Sequence, residues 1–338
     1  ASPPRSLLVP DGLVHADDTA PGLRRRKAGR GFVYLDDRPR GGGRRITDAD
    51  TLARIRALAI PPAWTDVWIC PDPLGHIQAS GRDAKGRKQY RYHERWTSER
   101  NAAKFDSLAE FGLALPALRA RVEEDMRSTA LSLERVVATT VWLLDRTLIR
   151  IGNREYSDSS FGLTTLLDEH ADAATRSLRL RFVGKSGREH DVTVRDPRVA
   201  RTVRRCQDLP GQRLLQYVDG DTIRPVESRD VNDYIRDVTA SDFTAKTFRT
   251  WGASSYATSL LAACGPCGDR CPEGDLRDTV KETASLLRNT PAVCRSSYIH
   301  PVVFDAHRDG WLHDVRPGRR AAKVMAAHER HLLALLEY

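Results

Sequence analysis

A tyrosine and four basic residues stand in settings that suit phosphate chemistry. Arg150 closes a long apolar segment in IRIGNREY, and Lys185 sits at the turn of FVGKSG. Lys246 and Arg249 share one helical face in TAKTFRTWG, and Tyr298 ends LRNTPAVCRSSY. An arginine at the end of a buried helix, or inside one that carries alanine and tryptophan, is costly to bury without an anion. A phosphate would satisfy both, because a planar guanidinium donates parallel hydrogen bonds to its oxygens. Ion pairs of Arg150 with Asp145 or Glu155 are the alternative that the residues alone leave open.

Other chemistries are poorly served. The GKS at 184–186 looks like half of a nucleotide-binding loop, but that motif needs glycine where Arg179 stands and a helix where a strand follows. The Gly41–Gly43 run lacks a strand-turn-helix setting. Cys264, Cys267 and Cys271 in CGPCGDRC supply three thiols where structural zinc wants four ligands, and only Cys294 or a histidine could complete the set. A Gly/Pro loop is the preferred reading, so neither metal nor nucleotide cofactor is expected.

The elements that must position these residues fall into two groups. Residues 1–30 are rich in Pro, Gly and Arg and read as a basic, partly mobile arm, with order starting at the strand Phe32-Val-Tyr-Leu. Thr47 can cap a helix over Asp48 to Ala59, stopped by Pro61-Pro62. From Asp66 to His93 the period is two, in DVWIC, HIQAS and QYRYH, which predicts a small antiparallel sheet. Its last strand interleaves Gln89, Tyr90 and Tyr92 with basic residues, and Arg82 and Lys88 flank the preceding turn, a pattern suited to phosphates and bases.

Beyond residue 97 the pattern is helical, with apolar periodicity at 98–111, 117–127, 130–150, 198–206, 228–238, 244–263, 275–288 and 319–336. One β-hairpin interrupts it, pairing Leu178–Val183 with Glu189–Val194 and placing Lys185 at the tip. The expectation is an α+β protein: a small β-rich domain over 1–97 and a mainly α-helical catalytic domain over 98–338. A net charge of +9 suits an acidic partner, although arginine excess also follows from base composition. No membrane span or secretory leader is legible, which points to a cytoplasmic, nucleoid-associated protein.

Five blocks carry a family likeness. PPAWTDVWICPDPLGHIQASGRDAKGRKQYRYH, IRIGNREYSDSSFGLTTL, FVGKSG, KTFRTWGAS and NTPAVCRSSY resemble, in the same order, the poxvirus and bacterial type IB DNA topoisomerases. The resemblance implies a clamp on duplex DNA, acting as a monomer without ATP or metal. In that family the tyrosine matched by Tyr298 attacks a backbone phosphorus and forms a 3′-phosphotyrosyl link. Arg150 and Arg249 match its two phosphate-binding arginines, and Lys185 matches the hairpin lysine that protonates the leaving 5′-oxygen.

By the same matching, Lys246 contacts a phosphate, Asn153 and Tyr156 flank the cleavage site, and Gln89, Tyr90 and Tyr92 touch the major groove. Where many members carry histidine, this chain has Asn289, which can donate a hydrogen bond to a phosphate oxygen but cannot titrate. Tyr217 and Tyr256 lack the flanking pattern and read as core, and His300 and His307 follow Tyr298 too late to match the family's histidine. Two rivals remain at this point. A tyrosine recombinase would use the same nucleophile, but with an HxxR arrangement where this chain has Lys246 to Arg249. A DNA-binding protein of the same fold could have lost the chemistry.

Overall fold

The arginine-rich run that reads as a mobile arm is a strand. In the computed structural model, which describes residues 9–40, 42–153, 160–265, 272–318 and 323–338, β1 (Leu23–Ala28) pairs antiparallel along its length with β2 (Gly31–Asp36). Burial explains the correction. Leu23 enters the core, and the half-buried Arg25 donates to the carbonyls of Ile60, Pro61 and Trp64 at 3.3, 3.0 and 2.6 Å. Charge density alone is therefore a poor guide to disorder where one face of a strand finds acceptors.

β3 (Arg44–Arg45) adds to β2. Helix α1 (Ala49–Ala57) starts at Asp48, whose carboxylate accepts from the Thr51 amide at 2.8 Å, so Asp48 rather than Thr47 is the cap. Then β4 (Thr65–Ile69), β5 (Ile77–Arg82) and β6 (Lys88–Tyr92) complete one antiparallel sheet of order β3-β2-β1-β4-β5-β6. Leu23, Ile55, Val67, Ile69 and Ala79 form the core under it. Helix α2 (Glu94–Asp106) follows, and the chain divides into compact units at 1–105 and 106–338.

The second unit is built on α3 (Leu108–Asp125) and α4 (Leu133–Thr147). The expected break near Pro116 does not occur. Leu108, Phe111, Leu115, Leu118 and Val122 keep one buried face across the proline, and that packing holds the helix together. At the other end α4 stops earlier than its apolar pattern. Thr147 bonds its own helix at the Leu143 carbonyl (2.6 Å), and Leu148 turns left-handed at φ 54. Arg150 thus leaves the helix in an extended segment instead of ending it.

The lysine hairpin gains a third strand: β7 (Ala171–Ala173) pairs with β8 (Leu178–Gly184), which pairs with β9 (Arg188–Val194). Helix α5 (Pro197–Gln207) is capped by Asp196. A second hairpin, β10 (Gln216–Asp219) with β11 (Thr222–Pro225), turns at Gly220 and went unread, although Asp-Gly-Asp is a turn signal. Helices α6 (Ser228–Thr239), α7 (Ala245–Cys264), α8 (Pro272–Leu287), α9 (Pro291–Ser297), α10 (Pro301–Arg308) and α11 (Ala327–Glu337) complete an α+β architecture. Sequence periodicity missed α9 and α10, which are short, and began the last helix eight residues early, partly on residues outside those described. Among the described residues no helix is long and apolar enough to cross a membrane.

Candidate active site

Tight backbone approaches at glycines place the cations. An added Cβ at Gly252 of α7 would lie 2.6 Å from the end of the Leu148 side chain, which would have to shift, so glycine gives Leu148 its room beside α7. The approach brings Arg249, one turn earlier, onto the Leu148 carbonyl, to which its Nη1 donates, and Nη2 donates to the Leu287 carbonyl at 2.9 Å. A Cβ at Gly162 would meet the Arg150 carbonyl at 2.6 Å. The amides of Leu163 and Thr164 instead bond the carbonyls of Arg150 and Ile151 at 2.9 and 2.8 Å, which pins the Arg150 backbone.

Tyr298 follows α9, a helix capped by the Thr290 hydroxyl. Ser254, five residues after Arg249 on α7, donates to the Tyr298 carbonyl at 3.1 Å and accepts from the His300 amide at 2.9 Å. One helix therefore fixes both the arginine and the tyrosine backbone. The Arg249 guanidinium lies 5.2 Å from the Tyr298 ring centroid and hydrogen-bonds the tyrosine side chain. Arg150 donates through Nη2 to Asn289 Oδ1. Asn289 Nδ2 and Arg249 Nε are buried without a hydrogen-bond partner among the described residues. An amide and a guanidinium with donors to spare, in one site, form an anion receptor.

Electrostatics agree. Burial drives the Arg249 pKa down, helped by Arg150, to about 10, which leaves it cationic at neutral pH. Burial pushes the Tyr298 phenol up, but Arg249, Arg150 and Lys246 outweigh it and hold the phenol below its ordinary range. No carboxylate pairs with Arg150, Arg249, Lys246 or Lys185 among the described residues. Of the two alternative partners for Arg150, Asp145 is taken by Arg119, at 2.8 Å, and Glu155 lies outside the described residues.

The structure thus brings Arg150, Arg249, Asn289 and Tyr298 together by direct contacts and Lys246, exposed on the first turn of α7, by charge. Lys185 stands apart from these contacts, exposed in the turn Lys185–Gly187, where Ser186 is left-handed at φ 63. The strand after that turn carries a residue that motif reading missed. His190 stacks on Phe182 with ring centroids 4.5 Å apart. Burial first, then Arg288, Arg150 and Arg249, push its pKa down to about 4, so it is neutral at physiological pH. Only its alternation with Phe182 across the hairpin could have flagged it.

Asn153 is exposed and lines a small cavity with Arg213 and Glu227, and Tyr156 lies outside the described residues, as do Cys267 and Cys271. Cys264 is exposed at the end of α7, and Cys294 is buried. Tyr217 is half-buried against the main core, as expected, whereas Tyr256 is half-buried and its hydroxyl donates to Glu282 at 2.8 Å. His300 caps α10 through Val302, and the buried His307 faces Asp275 at 3.5 Å.

In the first unit, β6 divides its residues by the period of a strand. Lys88, Tyr90 and Tyr92 share one face, where the tyrosine rings stack 5.7 Å apart and Lys88 lies 5.4 Å from the Tyr90 ring. Tyr90 and Tyr92 are 37% and 43% exposed, high for large aromatic residues. Gln89 points to the other face and donates to Asp83 at 3.1 Å. Lys88 pairs with Asp18 at 2.8 Å and Arg82 with Asp66 at 3.8 Å.

Comparison with known proteins agrees with both units. Residues 31–83 match the family described as bacterial DNA topoisomerase IB, N-terminal domain, and residues 87–307 match the eukaryotic DNA topoisomerase I catalytic core. The chain is 33% identical over 291 residues to DNA topoisomerase 1B of Acanthamoeba polyphaga mimivirus, covering 82% of this chain and 85% of the relative. It is 20% identical over 273 residues to DNA topoisomerase 1B of Vaccinia virus (strain Copenhagen), covering 77% and 83%. Together with the arginine-tyrosine site, these matches establish that the chain belongs to the type IB DNA topoisomerases.

Proposed function

We propose that this enzyme relaxes supercoiled duplex DNA through a 3′-phosphotyrosyl intermediate on Tyr298, without ATP or metal, and does so as a monomer. The Tyr298 oxygen attacks the scissile phosphorus, the new bond to tyrosine replaces the bond to the 5′-oxygen, and Lys185 gives that oxygen its proton. The cut strand swivels, and the 5′-hydroxyl attacks back to release the tyrosine. One phosphodiester is exchanged for another, so bond energy is conserved and no nucleotide is consumed.

The observation that carries the proposal is the contact of Arg249 with Tyr298 in a site where Arg150 and Asn289 also meet and no carboxylate among the described residues neutralises the cations. Such preorganised donors suit the charge that grows on the non-bridging oxygens, a stabilisation that a metal supplies elsewhere. The same cations favour the phenolate. Asn153, Tyr156 and Lys246 extend the backbone contacts. On the first unit, Lys88, Tyr90 and Tyr92 form a DNA-facing surface, with Arg82 and Gln89 beside it.

The test is a duplex whose 5′-labelled strand ends shortly after the cleavage site, so that the cut fragment is lost and the adduct accumulates. Label should remain on the protein in denaturant and map to Tyr298, and the released fragment should carry a 5′-hydroxyl. Label on another residue, or a 5′-phosphate on the fragment, contradicts the proposal.

A further inference from the structure

Arg288 occupies a backbone conformation that its side chain does not favour. It follows α8 with φ at 50, in the left-handed region where helix ends prefer glycine. The termination itself uses only main-chain groups: the Arg288 amide bonds Ser285 at 3.1 Å and the Asn289 amide bonds Ala284 at 2.9 Å. Glycine would make both bonds without the steric cost. Strain of this kind persists where the side chain has a task.

The side chain sits where that task can be read. Arg288 is half-buried, immediately before Asn289, and forms no ion pair with a carboxylate among the described residues. Of the three arginines whose charges oppose protonation of His190, Arg288 acts most strongly, ahead of Arg150 and Arg249. Its backbone sits in the site, since the Leu287 carbonyl before it accepts from Arg249 at 2.9 Å and the Asn289 side chain after it accepts from Arg150. Arg288 thus adds a third arginine to Arg150 and Arg249, which pair with no carboxylate among the described residues, and Asp191, the carboxylate on β9 that feels the charge of Arg288, is taken by Arg179 at 2.6 Å. Mutual repulsion among the three arginines is relieved by an anion.

We propose that Arg288 is a further phosphate-binding residue, contacting the DNA backbone beside the scissile phosphate, between Asn289 and the lysine hairpin. The inference rests on the Tyr298 site handling DNA. A competing role is local, since a cation at the end of α8 complements the helix dipole. The two roles part company in a glycine variant.

Equilibrium binding of duplex DNA across a salt series, in a Tyr298→Phe background, measures the difference for Arg288, Arg288→Gly and Arg288→Lys, with a thermal melt of each protein. Glycine should weaken binding about tenfold, as expected for one charge-assisted contact. It should also flatten the slope of log K against log salt by about 0.9, the share of one phosphate. The melting midpoint should hold or rise, and lysine should restore the slope. An unchanged slope in the glycine variant, with or without a lower midpoint, overturns the proposal, as does lysine failing to restore it. The labelled-adduct experiment is independent of this result: a missing adduct in the unmutated protein sinks the reading of Tyr298 even if the Arg288 slope shifts as expected.

Discussion

Two arginines in the helical unit, Arg119 partly buried and Arg249 fully buried, have opposite company. Arg119, on α3, is held by Asp145 at 2.8 Å and Glu329 at 2.7 Å, and Glu329 also accepts from Trp251 at 3.1 Å. Burial works against its charge, but the two carboxylates prevail and raise its pKa. Arg249 is only 3% exposed and has two carbonyls and a tyrosine, with no carboxylate and a pKa pushed down. The first arrangement is complete as folded, joining three helices. The second is a buried charge with no carboxylate among the described residues, which on the proposed function is completed by the scissile phosphate, and a protein that keeps such a charge gives up stability for it. Lack of a carboxylate alone does not mark a site, since the buried Arg135 donates, among the described residues, only to Thr202 Oγ1 and the Thr129 carbonyl; what sets Arg249 apart is that it also meets a tyrosine.

The largest effect that would sharpen this contrast is on Arg249. Its replacement by alanine should slow single-turnover cleavage by about 10²–10³, the cost of losing one oxyanion donor, while the melting midpoint falls little or rises. A large loss of stability with cleavage per folded molecule intact would make Arg249 another Arg119. The mirror experiment is Glu329→Gln, which breaks a buried ion network and should cost about 3 kcal/mol of stability in a urea titration. Relaxation per folded molecule should stay close to that of the unmutated protein.

Acidity sharpens the same point. Burial raises the Glu329 pKa, but Arg119 and the Ala326 amide lower it further, so its folded value lies below the unfolded one. Its contribution is present above the unfolded pKa and is lost as pH falls through the folded one. The unmutated protein should therefore lose stability in that acid window, and Glu329→Gln should lose less there.

A subtler effect concerns the nucleophile. Phenolate is the reactive form, so single-turnover cleavage should rise with pH and level off below about 10, the ordinary tyrosine value. In Arg249→Ala the levelling should move to higher pH. A profile rising unbroken past that value in the unmutated protein would mean that the arginines do not favour the phenolate. The smallest effect belongs to β6, where Lys88 is exposed and already paired with Asp18 and Arg91 donates to the Ala59 carbonyl. Tyr90→Ala and Tyr92→Ala should each weaken duplex binding by roughly 1 kcal/mol, the low end of base–aromatic packing, and leave cleavage of bound DNA unchanged.

The site was more legible than the scaffold. Arg150, Arg249, Asn289 and Tyr298 lie in blocks that match the family in order, and that resemblance, rather than residue type or spacing alone, singled them out. Their supports carry no such mark. Gly252 and Gly162 matter because another segment passes within contact distance, which no local pattern reports. His190 and Arg288 acquire their surroundings only when the hairpin and the end of α8 meet. β1 was hidden by its arginines, and α4 ended early because a left-handed leucine overrode a continuous apolar pattern. Gln89 was grouped with Tyr90 and Tyr92 by the family resemblance, whereas strand alternation sets it on the opposite face, where it donates to Asp83.

The most direct measurement is relaxation of a supercoiled plasmid in EDTA without ATP, with the unmutated protein beside Tyr298→Phe. The account predicts full relaxation by the first and none by the second. Relaxation by both, or by the unmutated protein only after a divalent metal is restored, would contradict it.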